Sequence, residues 1–494
     1  MRRLIACLIA LMMLMSFACA ETFTMAGCDD ADIGHVWTNN LFFDRMEERT
    51  GIHFEFIQAD NKDAWQAQKT AMFQTGNLPD VFFKANFSVS ETIAYYEAGQ
   101  LIDLRPYLEE HAPNFMALLA AHPEWEKAIT LPDGAIVALP LFNELASNNV
   151  MWINKTWLDN LGLPMPTTAE ELLNVLIAFR DYDANRNGDP TDEIPLSVIG
   201  MWDLRFFGHA FGLVSNDYYL YTDENGQVAS ILTTDENRAF LEWLHILWEE
   251  DLMTVDTFIN IDSARIISDK DADMTYGLFL APTPLSLVPT TGSDEYVALT
   301  PLTCNGRQVY RNTLGPVVRG TFAITSECDD PAALVAWVDY LYTEEGSRLA
   351  QAGIEGVEYL YESDGTWNWI AALEEVTDAV LPRATISDGG NAPGVLSYQF
   401  QVDFGHPETH RIMGHIAAFQ AYCVEPMPLV MITDEQLAEV TPIHNEIARY
   451  AEDHMVYFVT GDIPLNDETW AAFCQSVNEK GNDDLIAAWQ EIIK

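Results

Sequence analysis

The chain has 494 residues, 49% of them hydrophobic, and its 75 acidic against 25 basic side chains give a formal net charge of −50. That length holds two or three domains with a large core, and the apolar fraction excludes wholesale disorder. So negative a field repels nucleic acid and anionic lipid, and it disfavours a highly anionic ligand unless a local basic pocket overrides the mean.

Arg2 and Arg3 precede an apolar run from Leu4 to Phe17, and Ala18-Cys19-Ala20 then offers small residues to a signal peptidase. Residues 1–20 read as a secretory signal, too short for a spanning helix. Cleavage after Ala20 is favoured over lipidation at Cys19, because Ser16-Phe17-Ala18 makes a poor lipobox. Met25-Ala26-Gly27-Cys28 is closer to one in letters but reads better as the end of a strand. No later stretch is apolar for long enough to cross a bilayer. The protein is therefore expected outside the cytoplasm, at the cell surface or in a periplasm. Beyond residue 20 there are Cys28, Cys304, Cys328, Cys423 and Cys474, with no CxxC pair. That argues against a zinc or redox motif; one disulfide is compatible with export, and sequence does not say which.

From Glu21 the pattern is β-α-β-α-β. Thr22–Gly27 is a short apolar strand, and residues 36–50 read as a helix with Val36, Leu41, Phe42, Met46 and Arg49 on one face and Gly51 at its end. Ile52, Phe54 and Phe56 alternate with His53 and Glu55 as in a strand; residues 64–75 form a second helix, and Val81-Phe82-Phe83 a third strand. Strands alternating with helices imply a parallel sheet whose ligands lie at the carboxyl ends of the strands. Trp37 and Phe87 fall near that edge. Two further strand-like runs, residues 136–141 and 150–153, enclose Glu144. The second leads into a helix over 155–161 and a new helix start at Thr168, with Glu171 at capping-box spacing.

After that helix comes Asp183-Ala-Asn185-Arg-Asn187-Gly188-Asp189-Pro-Thr-Asp192-Glu193-Ile-Pro. Oxygen side chains at alternate positions of a tight loop can converge on one point, and glycine permits the sharp turn. Calcium takes about six to eight oxygens at about 2.3–2.6 Å. The loop begins like an EF-hand, with Asp183, Asn185 and Asn187 at its first alternate positions and Gly188 at the sixth. It does not end like one, since Ile194 stands where the closing glutamate belongs. It reads as a calcium loop of another kind, bracing a helix-to-strand connection. The plainer alternative is a solvated Asx-rich turn.

Taken together the residues resemble extracellular solute-binding proteins of ABC importers, family 1, in the long oligosaccharide- and alginate-binding branch. The resemblance rests on Asn77-Leu-Pro-Asp80, Gly99-Gln-Leu-Ile-Asp103, Pro132-Asp-Gly134, Trp152-Ile-Asn154-Lys-Thr-Trp-Leu-Asp-Asn-Leu-Gly162, Phe211-Gly212, and Gly353-Ile-Glu-Gly356-Val-Glu-Tyr359, in that order and spacing. The family's calcium loop is similar to Asp-x-Asn-x-Asn-Gly-x-x-Asp-Glu-Ile-Pro. Asp183, Asn185, Asn187, Asp192 and Glu193 match it, and one inserted residue leaves Asp189 as the candidate backbone ligand.

What the resemblance implies is a type II periplasmic-binding-protein-like fold: two α/β lobes joined by hinge strands, closing on a carbohydrate in the cleft between them. The lobes are expected over 21–146 with 320–385, and over 147–319 with 386–494. Partners would be the sugar and separate permease subunits, with no nucleic acid, and the chain would be a monomer. Sugars present C–H faces to aromatic rings and hydroxyls to polar groups. Trp37, Glu144, Trp202, Phe206 and Trp367 are the candidate ligand residues, although a tryptophan is more often core packing than a sugar platform. No catalytic residue is expected. His406-Pro-Glu408-Thr-His410 misplaces the glutamate of a zincin by one position. With 75 acidic residues, no carboxylate pair marks a glycosidase. A secreted carbohydrate-active enzyme and a binder of peptide or another polar solute are the alternatives. Neither repeats nor Ser/Thr/Pro stalks favour a scaffold.

Overall fold

The computed structural model describes residues 21–29, 35–145, 149–198, 200–253, 255–258, 275–312, 316–370, 383–386 and 391–494. The expected signal sequence lies outside them. Two compact units form: unit 1 from Asn143 and the residues before it together with Val317–Phe400, and unit 2 from Glu144–Pro316 with Gln401–Lys494.

Unit 1 is built on the expected β-α-β-α-β unit. Strand Glu21–Cys28 pairs in parallel with Ile52–Ala59 on one side and Val81–Phe83 on the other. Helix Leu41–Thr50 crosses between the first two, burying Phe42, Phe43 and Met46. It starts later than the apolar spacing suggested. The Asn40 side chain accepts from the Phe42 N–H and caps it, while Trp37–Asn39 forms a separate 3-10 turn. Val36, expected on the apolar face, is thus exposed. Three more strands complete a six-stranded sheet in the order Gly394–Leu396, Ala138–Asn143, Val317–Ile324, Val81–Phe83, Glu21–Cys28, Ile52–Ala59. Val317–Ile324 runs antiparallel to both its neighbours.

The last division of the chain falls after Phe400, not after residue 385 as expected. Gly394–Leu396 pairs in parallel with Leu141–Asn143, which ties that segment into the unit 1 sheet.

Unit 2 has its own four-stranded sheet, ordered Tyr296–Ala298, Val150–Asn154, Tyr276–Ala281, Ile194–Ser197. Its apolar core is separate and gathers the C-terminal helices Asp434–Thr460, Asp467–Glu479 and Asn482–Ile492 around Asp235–Glu249. Helix Ala169–Asp181 begins as the sequence suggests, with the Thr168 hydroxyl accepting from the Glu171 N–H. The expected reciprocal half differs, because the Glu171 carboxylate takes the N–H and hydroxyl of Thr167 instead. No disulfide joins any of the five described cysteines.

Candidate functional site

At the carboxyl edge of the unit 1 sheet, Trp37 lies 1% exposed among Phe43, Phe56 and Phe83. Gly27 makes room for it: a Cβ there would stand 2.7 Å from the Trp37 ring and 1.8 Å from the Phe83 carbonyl. The indole N–H donates to Asp29 Oδ2 at 3.0 Å. Asp29 also accepts from Lys84 Nζ at 2.6 Å, and Lys84 donates again to the Ile386 carbonyl at 2.9 Å. Burial alone would raise the Asp29 carboxyl. The His35 hydrogen bond and the Lys84 charge outweigh it and hold the carboxyl below its ordinary value. Lys84 takes up a left-handed φ of 50° to reach this place. Trp37 is therefore a structural member of a closed, paired cluster rather than an open platform. Trp367 is likewise enclosed in unit 1: its ring stacks on Phe400 at 4.3 Å and its N–H donates to the Phe400 carbonyl.

Trp202 and Phe206 come together in unit 2. Helix Met201–Leu204 and the turn that follows place them on one wall of a cavity of about 330 Å³. Trp202 is 38% exposed, and the Arg205 guanidinium lies 4.9 Å from its ring centre. Phe206 is buried, its edge against Trp202 and its face stacked 5.3 Å from Tyr310. Its ring is a wall of the cavity rather than a free platform. Glu144 is half-buried, and its carbonyl accepts from Gln420.

The sequence reading missed the polar side chains of this cavity: Arg205, His209, Tyr219, Arg311 and Glu452. Arg205 Nη1 and Arg311 Nη2 both reach Asp217 Oδ1, at 3.3 and 3.0 Å. The Tyr219 hydroxyl donates to Glu452 Oε1 at 2.9 Å, and burial followed by the Glu452 charge pushes its pKa up. Tyr219 sits at a left-handed φ of 62°, a conformation a bulky residue adopts only when its surroundings hold it there. His209 is 4% exposed; burial and then the Arg311 charge push its pKa down to about 3, so it is neutral. Arg311 Nε and Nη1 and His209 Nδ1 are buried without a hydrogen-bond partner. The one available signal was the polar-aromatic run from Met201 to Phe207; Arg311 and Glu452 arrive from distant segments that no local pattern joins to it.

The Asp183–Glu193 loop lies in unit 2, between helix Ala169–Asp181 and strand Ile194–Ser197. Asp183 Oδ2 accepts from the Gly188 N–H at 3.0 Å, and Asn185 Oδ1 from the Asn187 N–H at 2.8 Å. The Asp192 carboxylate accepts from the amides of Asn185 and Asn187. Glu193 Oε1 accepts from the N–H groups of Ala184 and Asn185. Asp189 turns away, its Oδ1 held by Thr191, and its N–H donates to Asn187 Oδ1. Asp183 Oδ1 and Glu193 Oε2 are buried acceptors without a partner. Among the described residues no group of three or more His, Cys, Asp and Glu side chains is gathered for a metal ion. The loop's oxygens are instead divided among carboxylates, the Asn amides and backbone carbonyls, the hard-donor set that calcium takes. The two orphaned oxygens fit such an ion.

Residues 36–348 match the family described as bacterial extracellular solute-binding protein. A curated relative, the fructooligosaccharide ABC transporter substrate-binding protein FusA of Streptococcus pneumoniae, is 25% identical over 91% of this chain and 86% of its own. The solved HMO binding ABC-transporter associated solute binding protein of Bifidobacterium longum infantis superposes with a TM-score of 0.75. It is 21% identical and covers 96% of this chain and 98% of its own. A FusA EF-hand mutant from S. pneumoniae in complex with fructo-nystose gives a TM-score of 0.68 at 22% identity, covering 95% and 98%. These likenesses show the two-lobed α/β fold of solute-binding proteins.

Proposed function

Because the chain belongs to the bacterial extracellular solute-binding protein family, we propose that it is the capturing component of an ABC importer. It binds an oligosaccharide outside the membrane and passes it to separate permease subunits. The observation that carries this reading is the unit 2 cavity, where an exposed tryptophan, two arginines and the Glu452 carboxylate surround a space of about 330 Å³. Aromatic faces meet sugar C–H surfaces, and Arg with Asp or Glu meets hydroxyl groups. That volume lies at the lower end of ligand sites, which run from about 300 to 1,000 Å³. The full-length relative named for fructooligosaccharide transport supports the same substrate class.

The chain acts as a monomer and performs no chemistry on its ligand. It is exported by the segment ending at Ala20. No helix among the described residues is long and apolar enough to cross a membrane; in this reading the transport step belongs to the permease subunits. Equilibrium dialysis against a panel of oligosaccharides tests the reading. Saturable uptake with the sugar recovered intact is expected; released shorter sugars would replace the carrier by a carbohydrate-active enzyme.

Calcium belongs to the same proposal, as a structural brace of the loop. Asp183, Asn185, Asn187, Asp192 and Glu193 would hold it with a carbonyl near Asp189. When bound, the ion supplies positive charge to two buried oxygens that the chain leaves unpaired. The relative whose EF-hand was mutated supports a metal loop in this family.

A further inference from the structure

The unit 2 cavity has a two-part lining. One part is polar: Arg205, His209, Tyr219, Arg311 and Glu452. The other is apolar, made by Leu213, Leu232, Phe240, Leu241, Met455 and Phe473. Interiors rarely keep a void larger than a water molecule, so apolar walls around this much space mark a place for an apolar group.

The polar part states what else that group must carry. Arg311 is 7% exposed and has two N–H-bearing nitrogens, Nε and Nη1, without an acceptor. His209 Nδ1, on the same lining, also has no partner. A neutral imidazole offers one nitrogen as acceptor and the other as donor. The unmet demand is thus an acceptor for Arg311 and, in the Nε2–H tautomer, a donor for His209. Arg205 and Arg311 already face the carboxylates of Asp217, Glu452 and Glu425, so no further anion is called for. A carboxylate would supply the acceptor but no donor. A sugar hydroxyl would meet both polar demands and leave the apolar wall facing a polar ring edge. The methyl of a deoxy sugar would meet the wall alone. An acetamido group meets all three: its carbonyl accepts from Arg311, its N–H donates to His209, and its methyl fills the apolar part.

We propose that this cavity receives the acetamido group of an N-acetylhexosamine unit, making N-acetylated oligosaccharides the preferred ligands. The inference rests on the carrier reading above and narrows it to a substrate class. Trp202, at the exposed rim, then meets the sugar ring itself.

Two disaccharides isolate the group. N,N′-diacetylchitobiose and cellobiose share their ring and linkage and differ at C2 only, acetamido against hydroxyl. Titration calorimetry of the full chain is expected to give at least tenfold tighter binding of diacetylchitobiose. Arg311→Met, which keeps the stem and removes the donors, should bring the two within about twofold. Should that variant fail to fold, Ala451→Phe, at a further buried residue of the same lining, fills the apolar part without touching a charge and is expected to abolish the same preference. Equal binding of the two disaccharides, tighter cellobiose, or binding only of some other oligosaccharide overturns the acetamido assignment and leaves the carrier standing. Binding of no oligosaccharide at all overturns both.

Discussion

Each unit places a charged cluster beside an aromatic ring, and the two clusters are finished differently. In unit 1, Asp29 takes Lys84 and Trp37 as donors, and Lys84 has a second acceptor at the Ile386 carbonyl. In unit 2, Arg311 spends one nitrogen on Asp217 and leaves two without partners, next to a neutral and equally unsatisfied His209. Burying a polar group costs free energy unless a hydrogen bond replaces water. A cluster that closes its bonds stabilises its own unit; one that leaves them open is kept for a partner from outside. The contrast gives the first tryptophan, Trp37, a structural place and is the ground for proposing ligand contact at the second, Trp202.

The largest effect that would break this comparison is at Lys84. Lys84→Met strands a buried carboxylate, and losing one partner of a buried pair costs about 3–5 kcal/mol. Urea denaturation should show that loss, with sugar affinity per folded molecule unchanged; a loss below about 1 kcal/mol would mean the cluster is not closed as described.

Next comes the pH dependence of unit 2. His209 falls from its ordinary 6.5 to about 3 in the folded chain. Below pH 6.5 the unfolded chain therefore binds a proton that the folded chain refuses. Stability declines as pH falls from about 6.5 towards about 3, by about 1.4 kcal/mol per unit from this residue. His209→Phe should flatten that part of the profile. Asp29 acts in a lower window: its carboxyl is held below 3.8, so its contribution is full above that value and lost as pH drops through the folded pKa. An unchanged slope between pH 6 and 4 in the His209 variant would contradict the buried neutral imidazole.

Calcium sharpens the account of the loop. An ion that binds only the native state raises the melting temperature, with about 2.7 kcal/mol of stabilisation at a hundredfold excess over its Kd. Chelated protein should gain that rise on adding calcium, and Glu193→Gln should lose most of it. An equal rise in the variant would leave the loop as an ordinary Asx turn. The smallest effect is at the rim. Trp202→Ala should weaken sugar binding by about 1 kcal/mol, the scale of one aromatic contact, while Trp367→Phe should leave affinity alone and cost stability.

Much of this fold was legible because alternation and caps are local. The strand at Val81–Phe83 and the helix at Lys155–Leu161 stand where the apolar runs placed them. Asn40 shows the limit: its side chain starts a helix in the middle of a run whose apolar spacing looked continuous. The three-residue strand Gly394–Leu396 carries too short a pattern to be seen, and only its pairing assigns it to unit 1. The loop oxygens were legible because they lie close together in sequence. The cavity was not, because Arg205, Arg311 and Glu452 meet through the packing of distant elements.

A series of melting temperatures against a panel of oligosaccharides decides whether this chain holds sugar without altering it. A concentration-dependent rise with N-acetylated members, and the sugars recovered whole, is the predicted result. A melting temperature unmoved by every sugar, or the appearance of cleaved product, would contradict it.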